Sequence, residues 1–468
     1  MTTPRSRDAA PVTRDPGSFR DPSGFVFRRG GVLYRQVNRV FADDWHAAAD
    51  AGILRRWQES GWLIGHEVAD TSLAADPDRA LAILRPDPVA FVSYPYEWTF
   101  GQLKDAALLT LDLQEDAARA GFTLRDASAY NIQFHRGRPI LIDSLSIERL
   151  EPAEPWAAYR QFCQHFVAPL ALMARRDIRC GLMLRDYVDG IPLDLASTLL
   201  PASTRLSVGL ASHLHLHARA QRRSASAGLS ARPVRGIGGT RRAALLASLR
   251  ATVQGLRWSP AGTEWADYDQ HTSYSDEGTR AKESIVEAML REVGGSVAWD
   301  LGANVGRFSQ IAARLGRRVV AWDVDPAASE RHYQRLKTSG ETLVLPLVQD
   351  IVNPSPGLGW AGAERAAFVD RSDADVVLAL GLLHHLAISN NVPLEWIASL
   401  FARLAPSAIV EFVPKDDPMV RRLLGSRRDV FLDYTQDGFE RAFGTRFRVL
   451  AGVPIPDSGR IVYRMERT

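Results

Sequence analysis

From residue 258 onward, short apolar runs alternate with stretches of helical spacing. Residues 296–300 (SVAWD), 318–323 (RVVAWD), 343–347, 375–380 (DVVLAL) and 407–412 (SAIVEF) read as strands. Residues 307–315 and 328–337 carry the three-to-four-residue apolar spacing of helices. Strands separated by helix-length segments imply parallel pairing through right-handed crossovers. The expectation is a doubly wound, Rossmann-like α/β sheet that takes its ligand at the carboxyl ends of the strands.

The first half is patterned differently. An apolar run at 91–94 leads into Tyr96-Glu97-Trp98, and an amphipathic helix is expected over 100–120. Between Asp194 and Glu264 there is no acidic residue, while ten arginines fall in the interval. The middle of that interval, RAQRRSASAGLSARPVRGIGGTRR, is too rich in Ser, Gly and Arg to bury much apolar surface and reads as a linker. Docking of an anionic partner on it is the other reading. A short helix is expected at 243–256. The expected division is an α+β domain over 1–218, a linker with a short helix over 219–257, and the α/β domain over 258–468. His213, His215 and His217 alternate (HLHLH) as metal ligands on a strand would, but their surroundings read as helix, where residues two apart diverge.

Composition narrows the class. Apolar residues at 46% and charged residues at 24% exclude a disordered or fibrous chain. A net charge of +3 gives no sign of a nucleic-acid or membrane-surface protein. Cys163 and Cys180 form no CxxC pair, which leaves no disulfide framework or cysteine-rich zinc site. Residues 1–14 lack the apolar core of a leader, and no stretch approaches the roughly 18 apolar residues of a membrane span. A soluble cytoplasmic protein is expected.

The candidate chemistry begins after the first strand, at Asp300-Leu-Gly302-Ala-Asn304-Val-Gly306. Its glycines allow a sharp turn and close approach of a ligand. Asp300 can accept from a cationic amine, Asp323 lies where a ribose diol would, and Asp350 can accept from an adenine amino group. The spacing is DxGxNxG rather than GxGxxG, and an acid precedes the loop where a pyrophosphate would meet negative charge. A ligand with an amine and a ribose but no phosphate fits better, and S-adenosylmethionine is such a ligand. Leu380 joins the cofactor-side residues at the end of the fourth strand.

On these residues, 258–468 resembles the class I S-adenosylmethionine-dependent methyltransferases. HTSYSDEGTRAKES (271–284), WDLGANVGRFSQIAAR (299–314), NPSPGLGW (353–360), LALGLLHHLAISNNVPL (378–394) and EFVPKDDPMV (411–420) are similar, more narrowly, to the bacterial family of the rhizobial nodulation protein NoeA. That resemblance implies that Tyr274 and Lys282 lie over the cofactor site, and it points towards a small or glycan-like acceptor. His384 and His385 stand where such enzymes place acceptor-side groups. Either is a candidate base, His384 slightly ahead, and either is equally a packing or capping residue. Glu411 is a second candidate for base or orienting group, or else a buried structural carboxylate. No NPPY or DPPY follows the fourth strand, which disfavours a nucleic-acid amino group as acceptor.

In LRDASAYNIQFHRGRPILIDS, Asp126, Asn131 and Asp143 resemble the catalytic loop and metal-binding acid of kinase-like folds. The departures are that no lysine precedes Lys104, that only Arg29-Gly30-Gly31 stands for a glycine-rich loop, and that Leu145 sits where a glycine is expected. A pseudokinase-like scaffold, which would hold or position the acceptor, is favoured over an unrelated α+β domain and over an active kinase. The alternatives to a methyltransferase alone are a bifunctional protein whose kinase-like first half binds nucleotide and a non-catalytic cofactor-binding protein.

Overall fold

The computed structural model describes residues 11–151, 154–219, 238–260, 275–425 and 428–468. They form two compact units. The first comprises the described parts of Met1–Tyr96, Gln102–Trp258 and Gly357–Ala366; the second comprises those of Glu97–Gly101, Ser259–Pro356 and Ala367–Thr468. The sequence did not foresee the two short segments, Glu97–Gly101 and Gly357–Ala366, which each pack with the other half of the chain.

In the first unit, β1 (Val12–Arg14), β2 (Gly24–Arg29) and β3 (Val32–Asn38) are followed by helices α1 (Ala42–Asp50) and α2 (Ile53–Glu59), then β4 (His66–Ala69) and β5 (Ala80–Pro86). The sheet is antiparallel throughout, in the order β1-β2-β3-β5-β4. Gly30 and Gly31, both at positive φ, make the β2–β3 turn, a two-residue turn whose twist suits a hairpin. Helix α3 (Phe100–Arg119) follows, and then two short antiparallel pairs, β6 (Phe122–Leu124) with β9 (Ile147–Arg149) and β7 (Ile132–His135) with β8 (Arg138–Leu141). The helix expected after the arginine-rich stretch is α4 (Gly239–Gly255). It is held within this unit by Arg250, which bonds Asp112 at 2.6 Å and Glu115 at 3.1 Å. The centre of the expected linker, 220–237, lies outside the described residues.

The alternating histidines are helical. His213 bonds the Tyr159 hydroxyl at 2.7 Å and Ser248 at 2.9 Å, His215 bonds Ser197 at 2.8 Å and Thr204 at 2.9 Å, and the His217 ring lies 4.9 Å from that of Tyr159. His213 and His217 thus both pack on Tyr159, while His215 is held apart by Ser197 and Thr204, so the three imidazoles do not converge on one point. Among the described residues no group of three or more His, Cys, Asp or Glu side chains is set to hold a metal ion.

The second unit runs α5 (Asp276–Glu292), β10 (Val297–Leu301), α6 (Arg307–Arg314), β11 (Arg318–Asp323), α7 (Pro326–Ser339), β12 (Val344–Val348), β13 (Val376–Ala379), α8 (Leu394–Leu404), β14 (Ser407–Phe412), α9 (Pro418–Leu424), α10 (Gln436–Gly444), β15 (Phe447–Pro454) and β16 (Ile461–Arg467). Its seven strands are ordered β12-β11-β10-β13-β14-β16-β15. The first five are parallel, and β16 is antiparallel to both β14 and β15. The five expected strands are present within about one residue of their expected limits; the closing hairpin is an addition. Helices on both faces explain why the parallel strands are continuously apolar. Trp299, Trp322 and Phe368 pack with ring centroids 5.1–5.2 Å apart beneath the strand ends. The order reverses between β10 and β13, the switch point where such sheets open a crevice. No described helix is long and apolar enough to cross a membrane.

Candidate active site

The β10–α6 loop is shaped by backbone bonds to its neighbour strand. Gly302 and Ala303 N–H groups both donate to the Trp322 carbonyl, at 2.8 and 3.0 Å. Asn304 takes φ of 49° and donates its N–H to Asp323 Oδ2 at 2.7 Å. Gly302 and Gly306 have φ of 71° and 78°, a region that costs an L side chain about 1–2 kcal/mol. A Cβ on Gly306 would also stand 1.9 Å from the His332 ring. Both strain and overlap therefore require glycine at 306. Gly306→Ala is expected to destabilise the protein by about 2–4 kcal/mol, read from urea unfolding; a loss below about 1 kcal/mol would show that the loop is not tightly seated.

Above this loop a cavity of about 430 Å³ opens at the carboxyl ends of β10 to β13. Asp323 lines it. One of its carboxylate oxygens accepts from Asn304 N, the other from Asp325 N at 2.8 Å, and burial pushes its pKa up to about 6. Each carboxylate oxygen has a second lone pair, so these backbone bonds fix the group without exhausting it. Gln349 and Asp350, just past β12, line the same wall, with Asp350 Oδ1 accepting from Val352 N at 2.8 Å. Gly302, Asn304, Leu380 and Lys282 are also in the lining. Six of the expected cofactor-side residues, from five separate segments, thus line one cavity.

Among the described residues, four expected ones, including His384, are not part of the lining. Asp300 is buried against Ser309, whose Oγ donates to Oδ2 at 2.6 Å, and burial raises its pKa to about 6. Glu411 is wholly buried and bonded to Lys282 Nζ at 2.8 Å. Gly306 acts through loop shape. Tyr274 lies outside the described residues.

The histidine pair is split. His384, slightly favoured from sequence, is fully buried, has no hydrogen-bond partner on either ring nitrogen among the described residues, and is absent from the cavity wall. His385 lines the cavity, its ring 4.1 Å from that of His384, and burial lowers its pKa to about 4. A π turn over His385–Ser389, which sequence spacing does not reveal, turns His385 and Ser389 both towards the cavity; such turns recur at functional sites. Leu386, Asn390 and, from α9, Leu423 complete this side, beyond the end of β13. Arg460, just before β16, is a further wall residue that the sequence reading missed.

In the first unit, Asp143 is ion-paired to Arg35 of β3, and its carboxylate also accepts from Leu145 N at 2.9 Å and Ser146 Oγ at 2.7 Å. Asn131 Nδ2 donates to Ser146 at 3.3 Å, and Asp126 accepts from Ser128 N at 2.8 Å, its pKa raised by burial. The cation that meets Asp143 from β3 is therefore an arginine. These three polar groups are engaged within the unit's own fold.

No family model matches the chain. Among solved structures, magnesium protoporphyrin IX methyltransferase ChlM from Synechocystis PCC 6803 with bound SAM is 16% identical, over 44% of this chain and 86% of its own, at a TM-score of 0.29. The N-methyltransferase NodS from Bradyrhizobium japonicum WM9 is 13% identical, over 41% of this chain and 98% of its own, at a TM-score of 0.31. Likenesses this distant carry no argument about this chain. The sequence relation is of another order: the nodulation protein NoeA of Rhizobium meliloti (strain 1021) is 35% identical over 463 residues, which are 97% of this chain and 96% of that protein. With identity at that level along nearly the whole of both chains, the chain belongs to the family of the nodulation protein NoeA.

Proposed function

We propose that the chain is an S-adenosylmethionine-dependent methyltransferase acting on a small or glycan-like acceptor. The observation that carries this reading is the 430 Å³ cavity at the switch point, where a positive-φ glycine loop and two strand-end acids, Asp323 and Asp350, share one wall. These residues fit the cofactor's parts. Asp323 would accept from the ribose hydroxyls, Asp350 from the adenine amino group, and Gly302, where a Cβ would press on Leu382 at 3.2 Å, lets the loop backbone approach the ligand closely. When bound, S-adenosylmethionine supplies an electrophilic methyl group on its sulfonium. The chain's own work is then alignment, exclusion of water, and removal of the acceptor's proton.

His385 is the residue we assign to that proton. Its ring is neutral at physiological pH, so it enters as a hydrogen-bond acceptor, and it lines the cavity just past the end of β13. His384 packs behind it.

The test is calorimetry with S-adenosylhomocysteine, followed by transfer of labelled methyl groups to fractionated small molecules and glycans. His385→Ala is expected to keep cofactor affinity and lose about 10²–10⁴ in transfer rate. Unchanged turnover in that variant would remove His385 from the chemistry. A wild-type protein that binds no S-adenosylhomocysteine would end the methyltransferase reading.

A further inference from the structure

Two acidic and two basic side chains from four separate segments meet beside the cavity, and proton removal uses none of them. Lys282 comes from α5, Glu411 ends β14, Asp417 caps α9, and Arg460 precedes β16. Lys282 Nζ bonds Glu411 Oε2 at 2.8 Å, and Arg460 approaches Glu411 Oε1 at 3.4 Å. The Arg460 guanidinium grips Asp417 with Nε at 2.7 Å and a second nitrogen at 3.1 Å. All four are buried, Glu411 at 0% and Arg460 at 1% exposure.

The quartet sums to zero charge, but it is not symmetrical. Lys282 and Arg460 belong to the cavity wall; Glu411 and Asp417 do not. The carboxylates stand behind and supply the counter-charge without which two buried cations would be strongly destabilising. The two cationic residues, and not their counter-charges, therefore belong to the wall that a ligand would meet. The face of the Phe308 ring, 4.8 Å from Lys282 Nζ, further fixes the ammonium. Arg307 also lines the cavity, but it is exposed and bonded to Glu283 at 2.9 Å.

We infer that Lys282 and Arg460 form a seat for a carboxylate, that of the bound ligand's amino-acid end, and that Glu411 and Asp417 are positioning residues for the two cations. A planar guanidinium beside an ammonium is the pairing that suits a carboxylate. Arg460 thereby becomes a cofactor-specificity residue, and Glu411 an anchor instead of a base. The inference rests on the methyl-transfer reading and is tested separately from it.

The experiment compares two probes on the full chain by calorimetry. S-adenosylhomocysteine carries the amino-acid carboxylate; 5′-methylthioadenosine keeps the nucleoside and sulfur and lacks it. Lys282→Met, which leaves Glu411 paired to Arg460, is expected to weaken S-adenosylhomocysteine about ten- to a hundredfold and to leave methylthioadenosine unchanged. Glu411→Gln is expected to narrow the same difference between the probes. Retained methylthioadenosine affinity also reports that the variant is folded; should Lys282→Met not fold, the probe ratio is read from Arg460→Lys. An equal loss for both probes, or no loss for either, overturns the seat. Wild-type protein that binds neither probe overturns the methyltransferase reading itself.

Discussion

Replacing Asp323 with alanine is expected to weaken S-adenosylhomocysteine binding at least about thirtyfold, the equivalent of one or two charge-assisted hydrogen bonds at roughly 1.5–3 kcal/mol each. The side chain ends β11 at the cavity wall, and the Asn304 and Asp325 amides hold it so that little reorganisation is needed on binding. The same variant frees two backbone donors, so the loop at Asn304 loosens as well. The titration has a definite sign. Burial raises the folded-state pKa to about 6, above the ordinary carboxylate value. Folding therefore favours the protonated acid, and this group's contribution to stability is greatest at low pH and declines as pH rises towards about 6. Ribose binding needs the ionised form, so wild-type affinity is expected to fall as pH drops below about 6. Calorimetry between pH 5 and 8 checks both; an Asp323→Ala protein with wild-type affinity would remove this acid from the site.

Glu97→Ala carries the largest expected cost in stability. The carboxylate is 1% exposed and takes two bonds from Arg371, one at 2.9 Å to Oε2 and a second to Oε1, with Ser355 Oγ at 3.3 Å. The Arg371 guanidinium in turn lies 5.9 Å from the centre of the Trp322 ring. Removing one member of a buried pair leaves the other charge uncompensated, a loss of about 3–5 kcal/mol. Urea unfolding followed by tryptophan fluorescence should show a large fall in the midpoint. A shift worth less than about 1 kcal/mol would mean that water or a neighbouring acid takes over the arginine.

What the sequence disclosed follows the range of the forces involved. Parallel strands covered on both faces are continuous apolar runs, and several end in an acid at the ligand side, so β10 to β14 could be read directly. The DxGxNxG spacing likewise encodes a local backbone requirement, which the φ values at Gly302 and Gly306 meet. The closing hairpin escaped because β15 carries Gly452 and Pro454 and lies largely exposed at the sheet edge, without strict alternation. Arg460 and Asp417 are 43 residues apart, and nothing local announces that they pair. His384 and His385 are identical neighbours, and only the π turn separates wall from core. The segment Glu97–Gly101 was legible as chemistry-bearing but not as part of the second unit, because its partners, Glu330, Ser355 and Arg371, are more than 200 residues away.

The insertion of β16 between β14 and β15 also governs how the second unit is made. Before β16 emerges, β14 is the rim of the growing sheet and presents a ladder of unpaired amides and carbonyls, six residues long, to any other chain. Parallel pairing across distant segments is intrinsically slow to nucleate, so that rim persists during synthesis. A nascent chain halted before residue 460 would have an open edge and an incomplete cavity wall together, which makes aggregation during translation the characteristic failure of truncated or slowly folding variants.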